Sequence, residues 1–125
     1  MTVETDQETM LTHYITCALW SSMDNADESG GDPLDQNYGP DDLHPDTRAA
    51  MLADCSAFLA SFESEIGGLL EQAGHDLWLT RNGHGSGFWD CGRPWSKEAA
   101  KKMTDAAHAL GESDLYIGDD GLLHV

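Results

Sequence analysis

Negative charge is distributed very unevenly along this chain of 125 residues, whose formal net charge is −17. Residues 1–80 hold 16 Asp and Glu residues against the single base Arg48, a formal charge of −15. Residues 81–125 hold seven acids and five bases, a formal charge of only −2. Repulsion among like charges at this density opposes compaction. A small domain that tolerates it either is kept in solution by the charge or uses it to bind a partner with a basic groove.

The densest part of this charge lies between Asp24 and Asp46, where no base interrupts the acids. Residues 23–45 also contain a Gly-Gly pair and three prolines, and they show neither helical nor strand periodicity. This composition predicts a long acidic surface loop. Structureless loops of this length are uncommon in compact domains and are often functional. Its candidate apolar anchors are Leu34, Tyr38 and Leu43.

The length predicts one domain that covers residues 1–125 and buries roughly two-thirds of the surface of the chain. The N-terminus lacks the basic start and apolar run of a signal peptide, and no apolar run approaches the roughly 20 residues that cross a bilayer. We therefore expect a cytoplasmic protein. Its acidity argues against binding to anionic membranes and against direct binding to nucleic acid phosphates.

The three cysteines do not form a disulfide framework, because their number is odd and their spacing is wide. Cys17 and Cys55 lie within apolar helical patterns, which predicts reduced thiols in the core. The large core candidates are Trp20, Trp78, Trp89 and Trp95.

Three segments have the apolar spacing of helices. The first runs from about Gln7 to Ser22, after a capping box at Thr5 and Glu8. The second starts at Pro45 or Asp46, is broken or bent at residues 67–68, and ends at Gly74 as a left-handed cap. The third is capped by Ser96 and ends at Gly111.

Four short segments have the pattern of strands. Residues 76–81 alternate, Asn82-Gly83 is a turn signal, and residues 87–90 form a plausible return strand, so we expect a glycine-rich hairpin at about 76–91. Residues 114–117 and 122–125 form a second strand pair around Asp119-Asp120-Gly121. The predicted fold class is α+β, a small antiparallel sheet of about four strands with two to three helices packed on one face.

The glycine-rich segment between Thr80 and Asp90 is the densest candidate for chemistry. Its glycines could form a nest of backbone N–H groups that holds an anion, with His84 as a general acid or base. The segment matches neither the P-loop nor the dinucleotide fingerprint. The pattern therefore favours a glycine-rich hairpin, with Trp78, Phe88 and Trp89 in or near the core. The residues of this alternative ligand loop are Arg81, Asn82, His84 and Asp90.

Metal and nucleophile chemistry are not favoured. His75 and His84 are nine residues apart and Cys91 has no partner cysteine nearby, which does not match zinc ligand spacing. Ser86 does not stand in a GxSxG elbow. The sequence therefore predicts no metal, no cofactor and no enzymatic activity.

Several motifs together resemble a group of small acidic phage and prophage proteins. They are LTRNGHGSGFWD at residues 79–90, DLYIGDDG at 114–121, CALWSS at 17–22 and PLDQNY at 33–38. The resemblance covers most of the chain. By analogy of source and charge, it implies a protein of the antirestriction or anti-CRISPR type.

Charge and resemblance lead to one functional hypothesis: a phage-type inhibitor that mimics DNA and binds a basic nucleic-acid-binding surface of a host defence complex. That complex would be a CRISPR effector or a restriction enzyme in the host cytoplasm. The predicted contact residues are Asp24, Asp27, Glu28, Asp32, Asp35, Asp41 and Asp42, to whose field Asp46, Glu63 and Glu65 add.

Two alternatives stay open at this point. A small ligand-binding protein or enzyme would depend on the glycine-rich loop from Arg81 to Asp90. A phage or host accessory protein would use its acidity for solubility alone, and it would have no stable basic partner.

Overall fold

The computed structural model describes residues 3–24, 32–34, 38–83, 87–90, 93–113 and 115–125. Within them, the fold is mostly helical, and the expected four-stranded sheet with helices on one face is wrong. The strands form two separate antiparallel pairs of two residues each. The elements are helices α1 (Val3–Ser21), α2 (Pro45–Ile66), α3 (Leu70–Arg81) and α4 (Lys97–Leu110), and strands β1 (Met23–Asp24), β2 (Asp32–Pro33), β3 (Tyr116–Ile117) and β4 (Leu123–His124).

Helices α1 and α3 form the centre of the fold and approach each other closely at Gly74. A Cβ atom at Gly74 would meet the carbonyl oxygen of Met10 and would lie 3.0 Å from the Tyr14 amide nitrogen. Gly74 therefore lies inside α3 and allows the two backbones to touch. The prediction that it ends the second helix as a left-handed cap is wrong.

The segment 76–81, predicted as a strand, is the last half of α3. Its residues Asp76, Leu77, Trp78, Leu79, Thr80 and Arg81 are all buried. A helix that is covered on every side has no polar face, so its sequence loses the 3.6-residue period by which helices are recognised. The alternation of polar and apolar residues within 76–81 is also typical of a strand, which explains why the strand prediction is wrong.

The predicted glycine-rich hairpin at about 76–91 is consequently absent from the described residues. Asn82 ends α3, and Gly83 follows with a φ of 67°. Residues 87–90 form a turn in which the Asp90 amide donates to the Gly87 carbonyl at 3.1 Å. The second predicted pair is confirmed in shorter form, because β3 and β4 pair Tyr116 with His124.

The first helix begins earlier than predicted: α1 starts at Val3, so Thr5 lies inside it and the prediction that a capping box at Thr5 and Glu8 precedes it is wrong. The other helix boundaries largely follow the sequence. Ser96 caps α4 by accepting from the Ala99 amide at 3.1 Å, and Gly111 ends α4 with a φ of 80°. Gly67 ends α2 with a φ of 57°, a backbone region that glycine adopts without strain.

The apolar anchors of the acidic segment are confirmed as part of the core. Leu34 and Leu43 are buried, and Tyr38 is partly buried against the same cluster. Cys17 and Cys55 are buried free thiols, as predicted, whereas Cys91 lies outside the described residues.

The four tryptophans divide into two groups. Trp78 and Trp95 are buried, as predicted for core residues. Trp20 and Trp89 are 42% and 47% exposed, so the prediction that they fill the core is wrong. Both are therefore available on the surface.

Candidate functional site

A tight turn precedes α2 and presents two of the predicted contact residues. Pro40–Asp42 form a single turn of 3₁₀ helix. The Asp42 carboxylate accepts from the Gly39 amide at 2.7 Å, which fixes the turn and leaves Asp42 partly buried. Asp41 is exposed beside it. Leu43 then enters the core, so the turn is anchored directly behind the two acids.

The first residues of α2 are attached to the C-terminal hairpin. The Leu123 carbonyl accepts from the His44 amide at 3.0 Å and from the Thr47 hydroxyl at 3.0 Å. Thr47 is 3% exposed, so this second hydrogen bond is shielded from water. Leu43 and Leu123 additionally form a parallel bridge. The hairpin therefore lies against the start of α2.

This attachment brings a second pair of acids to the first. Asp119 and Asp120 are exposed in the turn between β3 and β4. The His44 and His124 rings lie 4.9 Å apart, and each ring is also close to a carboxylate. We call the group formed by these residues the acidic corner: Asp41, Asp42, Asp46, Asp119 and Asp120.

The two histidines connect the halves of the acidic corner. His44 Nδ1 accepts from the Asp46 amide at 3.0 Å and lies 3.8 Å from the Asp46 carboxylate. His124 Nε2 lies 3.0 Å from Asp120 Oδ1. The Leu122 amide and the His124 ring lower the pKa of Asp120, because both stabilise the charged carboxylate. Asp120 thus stays ionised over a wider pH range than a free carboxyl group.

Sequence reasoning did not include Asp119 and Asp120 in the contact surface. Their pattern was recognised only as a turn, which is also what it is. No local signal in the sequence places that turn beside the start of α2, because the attachment joins residues nearly 80 positions apart.

The remaining predicted contact residues do not all lie at the acidic corner. Glu63 and Glu65 are exposed near the other end of α2. With a rise of about 1.5 Å per residue, the helix carries Glu63 about 26 Å from Asp46. Glu63 instead shares a groove of about 260 Å³ with Asp6 of α1.

Asp24 and Asp32 are backbone register partners in the β1–β2 pair. Three others, Asp27, Glu28 and Asp35, lie outside the described residues.

The basic residues of the described chain do little to neutralise the acidic corner. Arg48 is paired with Glu8 at 2.9 Å. Arg81 and Arg93 are paired with Asp54 and Asp76, at 2.8 Å and 2.9 Å. The three remaining bases are lysines of α4. Within the described ranges, no ion pair with a lysine or arginine reaches the acidic corner.

The residues of the alternative ligand loop occupy structural positions where they are described. Arg81 is 7% exposed and joins three helices: its guanidinium donates to the Tyr14 hydroxyl at 3.0 Å, to Asp54 at 2.8 Å and to the Gly111 carbonyl at 2.8 Å. Asn82 donates to the Trp78 carbonyl at 3.0 Å and accepts from the Ser113 amide at 2.7 Å.

Asp90 closes the turn after this loop by accepting from the Gly87 amide at 3.1 Å. His84 lies outside the described residues. The structure therefore does not bring these four residues together around a common cavity within the part it describes.

Within the described residues, no group of three or more His, Cys, Asp or Glu side chains has the geometry to hold a metal ion. None of the described helices combines the length and the apolar character needed to cross a membrane.

These features define a small, mostly helical protein with an acidic corner and a lysine-bearing helix. Comparison with known proteins finds no matching family model, no matching curated protein and no matching solved structure.

Proposed function

We propose that this protein is a non-enzymatic inhibitor that binds a basic nucleic-acid-binding surface of a host defence complex. The complex would be a CRISPR effector or a restriction enzyme, and the site of action would be the host cytoplasm. The protein would act as an acidic mimic of DNA. It would make no direct contact with nucleic acid.

One observation carries this proposal: the contact between the His44 and His124 rings links Asp46 of α2 with Asp120 of the C-terminal hairpin. Among the exposed acids, Asp41 lies in the turn before α2 and Asp46 in the first turn of α2, whereas Asp119 and Asp120 lie in the C-terminal hairpin. A solubilising charge needs only to be exposed, and it gains nothing from convergence. A binding surface does gain, because neighbouring carboxylates add their fields at the same place.

The expected binding mode follows from the charges. Opposite charge accelerates the encounter of two proteins and sets its orientation, and this effect weakens as salt increases. Carboxylates lack the geometry of phosphates, so the mimicry would be one of charge and spacing. The anchors Leu34 and Leu43 are buried in the core and would contribute by fixing the surface in place.

The test compares two double variants of equal charge. Asp41→Asn with Asp46→Asn removes two charges from the acidic corner. Glu98→Gln with Glu112→Gln removes two charges elsewhere. The second pair is a matched control, because Glu98 occupies the same position in the first turn of α4 that Asp46 occupies in α2, and Glu112 is exposed like Asp41.

Each variant is added to purified CRISPR effectors and restriction enzymes, and binding of labelled DNA to each complex is measured at low and high salt. We expect the unmodified protein to compete with DNA for at least one complex. The Asp41/Asp46 variant should associate several-fold more slowly, and the Glu98/Glu112 variant should be close to normal. Equal behaviour of the two variants, or no competition with any complex, would contradict the proposal.

A further inference from the structure

A cavity lies beside α4, lined by residues outside the acidic corner. It has a volume of about 560 Å³, within the roughly 300–1,000 Å³ range of small-molecule sites. We call it the α4 cleft. Its lining combines three aromatic rings, three cations and two carboxylates: Phe88, Trp89, Trp95, Arg93, Lys97, Lys101, Asp90 and Asp105.

The concentration of positive charge is unusual for this chain. The protein has only six Lys and Arg residues against 23 acids, and three of the six line the α4 cleft. Two of these are neutralised by carboxylates, because Arg93 lies 2.9 Å from Asp76 and 3.6 Å from Asp90, and Lys101 lies 3.1 Å from Asp105. Within the described residues Lys97 makes no ion pair.

Lys97 also stands where helix electrostatics disfavour it. It is the first residue of α4, and the N-terminus of a helix carries partial positive charge that repels a cation by about 0.3–1 kcal/mol. The lysine and the helix terminus therefore add their positive fields at the cleft. This arrangement is unfavourable for the free helix and favourable for a bound anion.

The aromatic wall of the cleft is held rigidly from behind. The Trp95 indole donates to the buried Asp76 carboxylate at 2.9 Å. Phe88 is stacked on Phe58 with a ring separation of 5.5 Å and meets Trp95 edge-on at 5.8 Å. Phe88 and Trp95 thus form a rigid apolar wall in which the two rings meet edge to face.

Trp89 completes the site from the exposed side. It is 47% exposed although it lines the cleft. A Cβ atom at Gly87 would meet the Trp89 ring and the Thr80 hydroxyl, so the ring lies folded over its own turn. An indole in this position offers an aromatic face that a ligand can cover.

We propose that the α4 cleft binds a small aromatic anion, with the ring system against Trp89 and Trp95 and the negative group beside Lys97. This inference is independent of the proposed function, because none of the residues that define the cleft belongs to the acidic corner. The ligand class follows from the lining: apolar rings alone would admit neutral molecules. Lys97, which makes no ion pair within the described residues, selects a negative charge.

The test uses two fluorescent probes with the same ring system. Anilinonaphthalene sulfonate carries one negative charge, and N-phenylnaphthylamine is its uncharged parent. The net charge of −17 repels the sulfonate and leaves the parent unaffected. Tighter binding of the sulfonate with one-to-one saturation therefore requires a local positive site, and we expect that result. Equal or weaker binding of the sulfonate would overturn the proposal.

Lys97→Gln and Lys102→Gln form a matched pair of variants. Both remove one exposed lysine of α4, but Lys102 does not line the cleft. We expect Lys97→Gln to weaken sulfonate binding by about threefold to fivefold, as for an exposed charge pair, without affecting the parent probe. Lys102→Gln should change the affinity for either probe by no more than about twofold. Equal effects of the two substitutions would overturn the proposal.

Trp89→Leu tests the aromatic contact and should weaken the binding of both probes. Amide chemical shifts on adding the sulfonate should centre on Ala100 and Thr104, and shifts centred elsewhere would refute the site. Sedimentation at the probe concentrations checks whether a second copy of the chain covers the cleft instead. A dimer that Trp89→Leu dissociates would likewise overturn the proposal.

Discussion

Replacing Arg81 with methionine tests whether this residue holds the fold together. Its guanidinium is buried and donates to four acceptors on α1, on α2 and at the end of α4: the Tyr14 hydroxyl, Asp54, and the Leu110 and Gly111 carbonyls. Methionine has a similar length and no donors. The substitution therefore removes every one of these hydrogen bonds and leaves the apolar packing largely in place.

The expected cost can be built from the contacts. Each carbonyl loses a charged donor, a bond worth roughly 1.5 kcal/mol. The buried Tyr14 hydroxyl loses its described partner, at about 1 kcal/mol or more. The Asp54 side chain is 37% exposed, so losing its ion pair with Arg81 costs about 1 kcal/mol at most. Since methionine regains some apolar burial, we expect a net loss of about 3–5 kcal/mol.

Arg48→Met is the matched control. Arg48 also pairs with a carboxylate, Glu8 at 2.9 Å, but both side chains are about half exposed. Exposed pairs of this kind contribute about 1 kcal/mol or less. Urea unfolding followed by far-UV circular dichroism measures both variants. If Arg81→Met loses no more stability than Arg48→Met, the assignment of Arg81 to the core network is wrong.

Further predictions concern a buried hydroxyl, a close helix contact and alkaline pH. The Thr104 hydroxyl is buried without a hydrogen-bond partner in the described structure, so Thr104→Val should raise the free energy of unfolding by about 1 kcal/mol; a decrease in urea unfolding would show that the hydroxyl is satisfied. Gly74→Ala should destabilise by about 1–3 kcal/mol because its Cβ meets the backbone of α1. Gly68→Ala, with open space around the Cβ, should be neutral or stabilising in the same assay, and equal values would contradict the close contact. Burial raises the pKa of Cys17 from 9.0 to about 12 and also raises that of Tyr14. Both groups are neutral in the folded state, so their contribution is complete below pH 9 and is lost as pH rises toward 12. Urea midpoints that do not fall between about pH 9 and 11 would refute this linkage.

The sequence predicts the structure best where the structure depends on a few adjacent residues, as at the ends of a helix. Ser96 and Gly111 marked the ends of α4, because capping and positive φ depend on a few adjacent residues. The anchors Leu34 and Leu43 were recognisable as apolar residues within a polar segment, and both are buried.

The misassigned helix shows where local patterns fail. Half of α3 is covered on all sides, so Leu77 to Thr80 show no polar face. Its identity as a helix depends on packing against α1 through Gly74, a contact between segments some 60 residues apart. Nothing in the neighbouring sequence reports that contact.

The sequence predicts that the candidate surface is negatively charged, but it predicts only some of the residues that form it. The acids before α2 were identified from charge density alone. Asp119 and Asp120 were not, because their place at the acidic corner is set by the hydrogen bonds that Leu123 accepts from His44 and Thr47. Long-range attachments of this kind leave no periodic trace in a sequence.

Those two hydrogen bonds to the Leu123 carbonyl also tie the charge pattern to a local opening equilibrium. Short terminal strands open more readily than packed helices. When the hairpin detaches, Asp119 and Asp120 leave while Asp41, Asp42 and Asp46 remain. The acidic corner then loses two of its five carboxylates without global unfolding. The His44 amide, bonded to Leu123 at 3.0 Å, becomes open to hydrogen exchange in the same event. The hydrogen-exchange rate of this amide therefore reports the fraction of time that the hairpin is attached and all five acids of the acidic corner are together.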